Sequence, residues 1–256
     1  MVEQPQGDKL RFCSSLSGAI NRWHLLSICS LSIPTLMHAL SIPTWIIHTS
    51  SVIEWVVAIW LISRYAEVTH NRSWYGVSFA MLPALVSAMC ACTWHFFDNA
   101  PRLDWLVVVQ AATTLIGNIT LMLAAWGVWR SARKATDLQL NSLVLPILLL
   151  LPPVSIFSLS KENLFAFSLF PYLGFLWFLT RSRLTPRLAL IGFYMTLVFV
   201  AITIPAGIYA KAAYGAELAN VDWLHGSAEF FLTLANILVV LGFRQALSQH
   251  QTTDRT

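Results

Sequence analysis

Two stretches of this chain combine histidine and carboxylate side chains inside long apolar segments. The first carries His48 and Glu54 after Thr44, and the second places Glu229 four residues after His225. Ionisable groups are rare in a bilayer, because each costs on the order of 3 kcal/mol or more near its centre. Neutral imidazole is also the commonest metal ligand and ligates haem iron. The two stretches therefore indicate binding or proton transfer inside a membrane.

The composition predicts that the segments holding these residues cross a bilayer. The chain is 57% hydrophobic and 11% charged, with a mean hydropathy of +0.64, whereas a soluble domain is about 25% charged. The net charge of +4 comes from loop residues, and no basic run lies beside a soluble fold, so the composition excludes a nucleic-acid-binding domain. No phosphate-binding glycine loop, haem-attachment motif or His-Glu-x-x-His helix is present in the sequence.

Apolar runs of about 18 residues or more predict an all-α bundle of transmembrane helices. We expect seven spans, near 44–62, 75–97, 105–129, 142–159, 164–180, 188–210 and 223–243. The fourth predicted span contains prolines. They interrupt its helix, because proline removes a helical hydrogen bond. Residues 24–40 are apolar but short, and they are open to interpretation as an eighth span or a targeting segment. The predicted organisation is an N-terminal extension or targeting segment (1–36), a three-helix module (37–134), a linker with the fourth span (135–160), a second three-helix module (161–247) and a polar tail (248–256).

The loop charges predict the direction of each span. Ten lysines and arginines occur in the loops after spans one, three, five and seven, against three in the other loops. Lysine and arginine accumulate on the cytoplasmic side of a membrane. We therefore expect the C-terminus on the cytoplasmic or stromal side, with the first and last spans both running inward.

With these directions, three histidines fall in the outer third of the bilayer. His48, His95 and His225 each lie near the outer end of a span, and Glu229 lies one turn below His225 on the same face. Glu54 lies nearer the midplane. The histidines are candidate ligands of a tetrapyrrole such as chlorophyll or haem, with a zinc ion as the alternative. Glu54 and Glu229 are candidate proton-handling groups, and no catalytic residue is assigned.

Four further polar residues are expected to support this region. Asp98 and Asn99 follow His95, Gln110 lies about one turn into span three, and Asn118 lies near its middle. Buried polar groups also hold transmembrane helices together, typically contributing about 0.6 kcal/mol each. Helix association therefore remains an alternative interpretation for every one of these side chains.

Long motifs carry a resemblance to a known family. Residues 40–126 resemble the hypothetical chloroplast reading frame forty-nine family through LSIPTWIIHTSSVIEW (40–55), SWYGVSFAMLPALVSAMCACTWHFFDN (73–99) and QAATTLIGNIT (110–120). Residues 164–247 resemble a second cyanobacterial and plastid membrane domain through LFPYLGFLWFLTRS, IPAGIYAK and VDWLHGSAEFFLTLANILVVLGFRQAL. The resemblance implies an oxygenic phototroph and a thylakoid or cyanobacterial plasma membrane, and it implies no activity.

Together these features predict an integral membrane accessory protein of the photosynthetic membrane. We expect it to assist assembly or to hold pigment or a photosynthetic membrane complex, with the lipid bilayer around it, rather than to be an enzyme. A proton-coupled carrier or channel and an intramembrane metal-dependent hydrolase are the alternatives. The first would use the two carboxyls as titrating groups, and the second would use the histidines as metal ligands.

Overall fold

Long helices make up nearly all of this computed structural model, which describes residues 40–133 and 160–253. Within those ranges there is no strand, and two short 3-10 turns, Pro101–Leu103 and Leu218–Asn220, connect helices near one end of the bundle. The helices are α1 (Ile42–Val68), α2 (Ser73–Ala80), α3 (Leu82–Phe96), α4 (Asp104–Arg133), α5 (Lys161–Ser182), α6 (Arg187–Tyr214) and α7 (Asp222–Thr253).

Six helical segments among the described residues are long and apolar enough to cross a membrane, and α2 and α3 together form one of them. The break between α2 and α3 falls at Met81, before Pro83, because proline removes a helical hydrogen bond. Six of the seven predicted spans correspond to these crossings. The predicted fourth span (142–159) and the candidate eighth (24–40) lie outside the described residues. The last helix continues to Thr253, past the predicted end of its span.

Large apolar side chains cover the outside of the bundle. Phe79, Phe170 and Ile208 are each at least 65% exposed, and they lie on three different helices. Many exposed large apolar side chains are unusual on a soluble protein, and they suit helices whose backbone polar groups are satisfied internally in lipid. The exposed surface thus agrees with the composition in indicating an integral membrane protein.

The packing of neighbouring helices fixes their relative directions. Asn118 of α4 donates to the Ser168 carbonyl of α5 at 2.9 Å, and Trp129 of α4 packs against Trp177 of α5. The later of these two contacts on α4 is also the later one on α5. The two helices therefore run in the same direction. The same holds for α1 and α7, where His48 meets His225 near one end.

Tyr65 shows where the other end of the α1–α7 pair lies, since its ring contacts Phe243 and His250 of α7. The rings of Tyr65, Trp74 and Phe243 meet edge to face at 5.4–5.5 Å between centroids, a favourable aromatic geometry. Helices α1, α4, α5 and α7 run toward this end of the bundle. We call it the arginine-rich end after the arginines that lie there. Its cations are Arg64, Arg72, Arg130, Arg133, Arg181, Arg183, Arg187 and Arg244.

Candidate metal centre

Three histidines from three different helices converge at the opposite end of the bundle. His48 of α1, His95 of α3 and His225 of α7 each offer a ring nitrogen, and these three atoms all lie within 4.8 Å of one another. Their rings are in mutual contact, with centroids 4.9–5.1 Å apart. All three side chains are at least 92% buried. We call this cluster the histidine triad and its side of the bundle the histidine end.

Local chain structure explains why the three imidazoles share a level. His225 lies in the first turn of α7, where its backbone N–H donates to the Val221 carbonyl at 2.9 Å. His95 lies in the last turn of α3, and His48 lies in the second turn of α1. Because α1 and α7 begin where α3 ends, the histidines meet although they are distant in the chain.

Asn99 fixes the tautomer of His95. Its amide nitrogen donates to the Ala219 carbonyl at 3.1 Å and to the Asn220 side-chain oxygen at 2.7 Å. A carbonyl can only accept a hydrogen bond, so the amide oxygen of Asn99 must face the His95 Nδ1, 2.7 Å away. That Nδ1 therefore carries the proton, and the Nε2 lone pair of His95 is free to bind. Partners of this kind commonly orient metal-ligating histidines.

The spacing of the triad suits a single metal ion. Zinc–nitrogen bonds of about 2.0–2.1 Å in a tetrahedral site place two ligand nitrogens roughly 3.3 Å apart. The Nε2 atoms of His48 and His225 lie 3.2 Å apart, which matches one edge of such a site. The whole set spreads over 4.8 Å, so His95 would move closer on binding. The three rings are in contact, so there is no gap between them for a tetrapyrrole ring.

The two predicted proton-handling carboxyls lie below the triad rather than within it. Glu229 is half-buried one turn below His225, and it lies near enough to the Cys92 thiol of α3 to interact electrostatically. Glu54 lies deeper on α1, beside the Ser50 and Asn236 side chains. Its Oε2 is buried without a hydrogen-bond partner among the described residues, and so is the Asn236 Nδ2.

Of the four predicted supporting residues, Asn99 contacts a triad imidazole through its side chain, and the backbone N–H of Asp98 donates to the His95 carbonyl at 3.0 Å. The backbone carbonyl of Gln110 accepts from the Ser87 hydroxyl at 3.1 Å, joining α3 to α4. Asn118 joins α4 to α5 through Ser168. Asp98 is exposed just after α3, with a positive φ of 54°. The contact of the Asn118 side chain is that of a residue that holds helices together.

Sequence reasoning missed the hydroxyl side chains around the triad. Ser51 of α1 and Thr233 of α7 share a hydrogen bond at 3.0 Å one turn below it. Above it, Thr44 faces Gly226, where an added Cβ would come within 2.5 Å of the Thr44 Oγ1. The signal was available on α1, since Ser41, Thr44, His48 and Ser51 recur every three or four residues and so share a helical face.

A cleft opens at the histidine end between α1 and α7. Its volume is about 560 Å³. Thr44 and Gly226 both line this cleft, and each lies within one turn of a triad histidine. Its polar lining includes Asp222, whose Oδ1 accepts the Ser41 backbone N–H at 2.9 Å. None of the described residues that line the cleft is a triad histidine, so the cleft lies beside the buried imidazoles.

Comparison with known proteins relates both halves of the chain to families of unknown function. A family model described as "Protein of unknown function (DUF2499)" matches residues 39–127, and a second, "Protein of unknown function (DUF3593)", matches residues 161–248. The Ycf49-like protein of Synechocystis sp. is 65% identical over 98 residues, which cover 94% of that protein and 38% of this chain. The chain belongs to the Ycf49-like family.

A more distant relative supports the same assignment. The uncharacterized protein ycf49 of Cyanophora paradoxa is 40% identical over 85 residues, covering 83% of that protein and 33% of this chain. No solved structure gives a significant match. The family assignment therefore agrees with the cyanobacterial and plastid resemblance seen in the sequence, and it brings no activity with it.

The complete triad requires both halves of this chain. His48 and His95 lie in the region matched by the first family model, and His225 lies in the region matched by the second. His225 follows His95 by 130 positions, so the 98-residue match to the Synechocystis protein cannot contain all three histidines. The triad is thus a feature of the two-module chain.

Proposed function

We propose that this chain is an integral membrane accessory protein of the photosynthetic membrane that holds a transition-metal ion at the histidine triad. The observation that carries the proposal is the convergence of three buried imidazoles from three helices, with two Nε2 atoms 3.2 Å apart. Membership of a cyanobacterial and plastid family supports the location, in a thylakoid or cyanobacterial plasma membrane.

The donor set narrows the choice of ion. Imidazole suits zinc, copper, iron and nickel, whereas magnesium and calcium prefer oxygen ligands. A site with three histidine ligands keeps one position open, and here the open position can take a water molecule or a group from a partner complex. His48, His95 and His225 would hold the ion, while Asn99 would orient His95.

A metal-dependent hydrolase is the second candidate, and Glu229 is the observation that favours it. This carboxyl lies one turn below His225 on the same helical face. An ion with an open position lowers the pKa of its bound water and makes it a nucleophile, and a nearby carboxyl can accept its proton. Lipid turnover by the purified protein, lost in both His95→Gln and Glu229→Gln variants, would support this function. Equal turnover in the variants would contradict it.

We further propose that the membrane topology has seven crossings, with the arginine-rich end on the cytoplasmic or stromal side. Because α4 and α5 run in the same direction, α4 ends at one side of the membrane and α5 begins at the other. The segment 134–159 must join the two, and an additional crossing there accounts for the parallel arrangement. The arginines at the ends of α1, α4, α5 and α7 support the orientation.

Metal analysis of the purified protein tests the main proposal. The protein is purified in mild detergent without chelators, and its metal content is measured by mass spectrometry alongside its absorption spectrum. We expect about one transition-metal ion per chain in the wild type and at least tenfold less in His48→Gln, His95→Gln and His225→Gln. The matched control is His250→Gln, because His250 is exposed at the arginine-rich end.

Two outcomes would contradict the proposal. The first is a wild-type protein that contains no metal and acquires none from added zinc, copper or iron. The second is a set of triad variants that keep their metal. The accessory role has a separate test, in which native gels of membranes are probed for this chain. Co-migration with a photosynthetic complex supports that role, and migration as an isolated protein under every mild condition contradicts it.

A further inference from the structure

A tryptophan followed by an arginine four positions later occurs three times near the ends of α4 and α5. In each case the guanidinium carbon lies 4.3–5.8 Å from the centroid of the indole ring. The pairs are Trp126 with Arg130, Trp129 with Arg133, and Trp177 with Arg181. Positions i and i+4 share a helical face, and a cation over an indole ring at this distance is attracted to it. Each arginine is therefore held beside its ring at the arginine-rich end.

Two of these pairs lie side by side, because α4 and α5 are parallel and packed together. The rings of Trp129 and Trp177 are in contact, with centroids 6.0 Å apart. Arg133 and Arg181 each follow these rings by one turn, so the two guanidinium groups reach the same level on neighbouring helices. We call Trp129, Arg133, Trp177 and Arg181 the arginine–tryptophan site.

The positive charge of this site has no acidic partner in the described part of the chain. Arg133 and Arg181 are exposed, and neither forms an ion pair there. The arginine-rich end carries eight arginines, and its one described carboxylate, Glu67, pairs with Arg64. A guanidinium stacked on an aromatic ring keeps the N–H donors at its edge, and those donors match the oxygens of a phosphate or a similar anion. The site therefore suits an anionic group.

An exposed apolar stripe on α5 runs from this site into the bilayer. Its side chains are Trp177, Leu173 and Phe170, which are 50%, 45% and 65% exposed. They precede Arg181 at intervals of three or four residues, so all four side chains share one helical face. A half-exposed tryptophan beside arginines is typical of the boundary between headgroups and acyl chains. The cations thus lie at the level of the headgroups, and the stripe lies at the level of the acyl chains.

We propose that the arginine–tryptophan site binds one anionic membrane lipid. Its phosphate or sulfonate headgroup accepts hydrogen bonds from Arg133 and Arg181, and an acyl chain lies along the stripe of α5. A neutral lipid offers no charge to the two cations, and a soluble anion makes no use of the apolar stripe. Basic sites on the cytoplasmic side of membrane proteins bind lipid headgroups in this way. The site is at the opposite end of the bundle from the histidine triad, so the proposal does not depend on a metal ion.

Native mass spectrometry of the purified chain tests the proposal. The protein in mild detergent is incubated with phosphatidylglycerol or with phosphatidylcholine of the same acyl chains, and the retained lipids are counted. We expect one phosphatidylglycerol to be retained at concentrations at which phosphatidylcholine is lost. Retention should weaken about tenfold or more in Arg133→Gln/Arg181→Gln, because both charge-assisted donors are removed. Trp177→Leu keeps both cations and should weaken retention about threefold, because it removes the ring under Arg181.

The matched control is Arg187→Gln/Arg244→Gln, which removes the same charge from the same end of the bundle. Both arginines are exposed, and their helices are neighbours, since Gly242 of α7 packs on Ala189 of α6. Neither arginine lies over an aromatic ring among the described residues. This variant should retain phosphatidylglycerol as the wild type does.

The proposal is overturned if the wild type retains both lipids equally, or if Arg133→Gln/Arg181→Gln or Trp177→Leu retains phosphatidylglycerol as the wild type does. An equal loss in the two double variants would also overturn it, because surface charge alone would then explain the binding. Displacement of the lipid by glycerol phosphate or an acidic peptide, at the concentration at which added lipid displaces it, would show that the acyl chain contributes nothing. That result would assign the site to a soluble anion and overturn the lipid proposal.

Discussion

The Nε2 atoms of His48 and His225 lie 3.2 Å apart, although 177 positions separate the two residues in the chain. One belongs to the first three-helix region and the other to the second, and Asn99 holds the third imidazole from the connection that follows α3. The candidate site therefore depends on the packing of α1 against α7 and on one amide beside His95. Each dependence gives a prediction.

Removal of the Asn99 amide should weaken metal binding without removing a ligand. In Asn99→Ala, the His95 Nδ1–H loses its acceptor, so the ring is no longer held in the tautomer that presents Nε2. Loss of such a partner typically lowers metal affinity about 10- to 100-fold, and a chelator competition titration measures it. Asn99→Asp keeps an oxygen acceptor for the His95 Nδ1–H but loses the donor to Ala219 and Asn220, so it should lose less affinity than Asn99→Ala.

Asn118→Ala is the control for that experiment, because Asn118 bonds α4 to α5 through Ser168 and takes no part in the triad's hydrogen bonds. It should bind metal as the wild type does. An Asn99→Ala protein with unaltered affinity would show that the His95 tautomer is irrelevant. An equal loss in both alanine variants would point to general destabilisation.

The sequence was sufficient to predict the crossings that the structure describes, because long apolar runs can only be satisfied in lipid as helices. It was also sufficient to place His48, His95 and His225 at one level, since the loop arginines set the direction of each span. It could not show that α1 and α7 are neighbours, because every helix here is apolar around most of its circumference and gives little indication of which face meets which partner.

The same limit hid the partners of the candidate residues. The Ser51–Thr233 hydrogen bond and the position of Asn236 beside Glu54 depend on the relative rotation of α1 and α7. Asn99 was predicted only as a supporting polar residue, because its contacts come from the turn around Asn220, 121 positions later. The metal-binding and proton-handling roles of these residues remain predictions.

A methyl group added at Gly226 should separate α1 from α7 just above the triad. The Cβ in Gly226→Ala would lie 2.5 Å from the Thr44 Oγ1, and overpacking of this kind typically costs about 1–3 kcal/mol. We expect a lower unfolding temperature and a lower metal content. Thr44→Ala removes the clashing atom, so the double variant Gly226→Ala/Thr44→Ala should recover much of both. Losses that simply add in the double variant would refute this account of the contact.

The contact between α6 and α7 should be equally intolerant of added volume. In Gly192→Ala the new Cβ would lie 2.7 Å from both the Ala235 carbonyl oxygen and the Val239 backbone nitrogen, and backbone atoms cannot rotate away. We expect a loss of about 1–3 kcal/mol, measured as a lower thermal unfolding temperature in detergent. Gly207→Ala on α6 is the control, since no atom beyond the adjoining part of its own helix lies within 4 Å of its added Cβ. Equal unfolding temperatures for the two variants would contradict this close packing.

Thiol labelling should place the end of α4 and the start of α5 on opposite sides of the membrane. In a chain whose four cysteines are replaced by serine, single cysteines are introduced as Arg133→Cys and Glu162→Cys and treated with a membrane-impermeant maleimide in sealed vesicles. We expect the two positions to react from opposite faces. Arg102→Cys should be labelled from the same face as Glu162→Cys, because both positions lie at the histidine end. Arg183→Cys should be labelled from the same face as Arg133→Cys, because both positions lie at the arginine-rich end. If Arg133→Cys and Glu162→Cys were labelled from the same face, the end of α4 and the start of α5 would lie on the same side of the membrane. That result would exclude the seventh crossing between them.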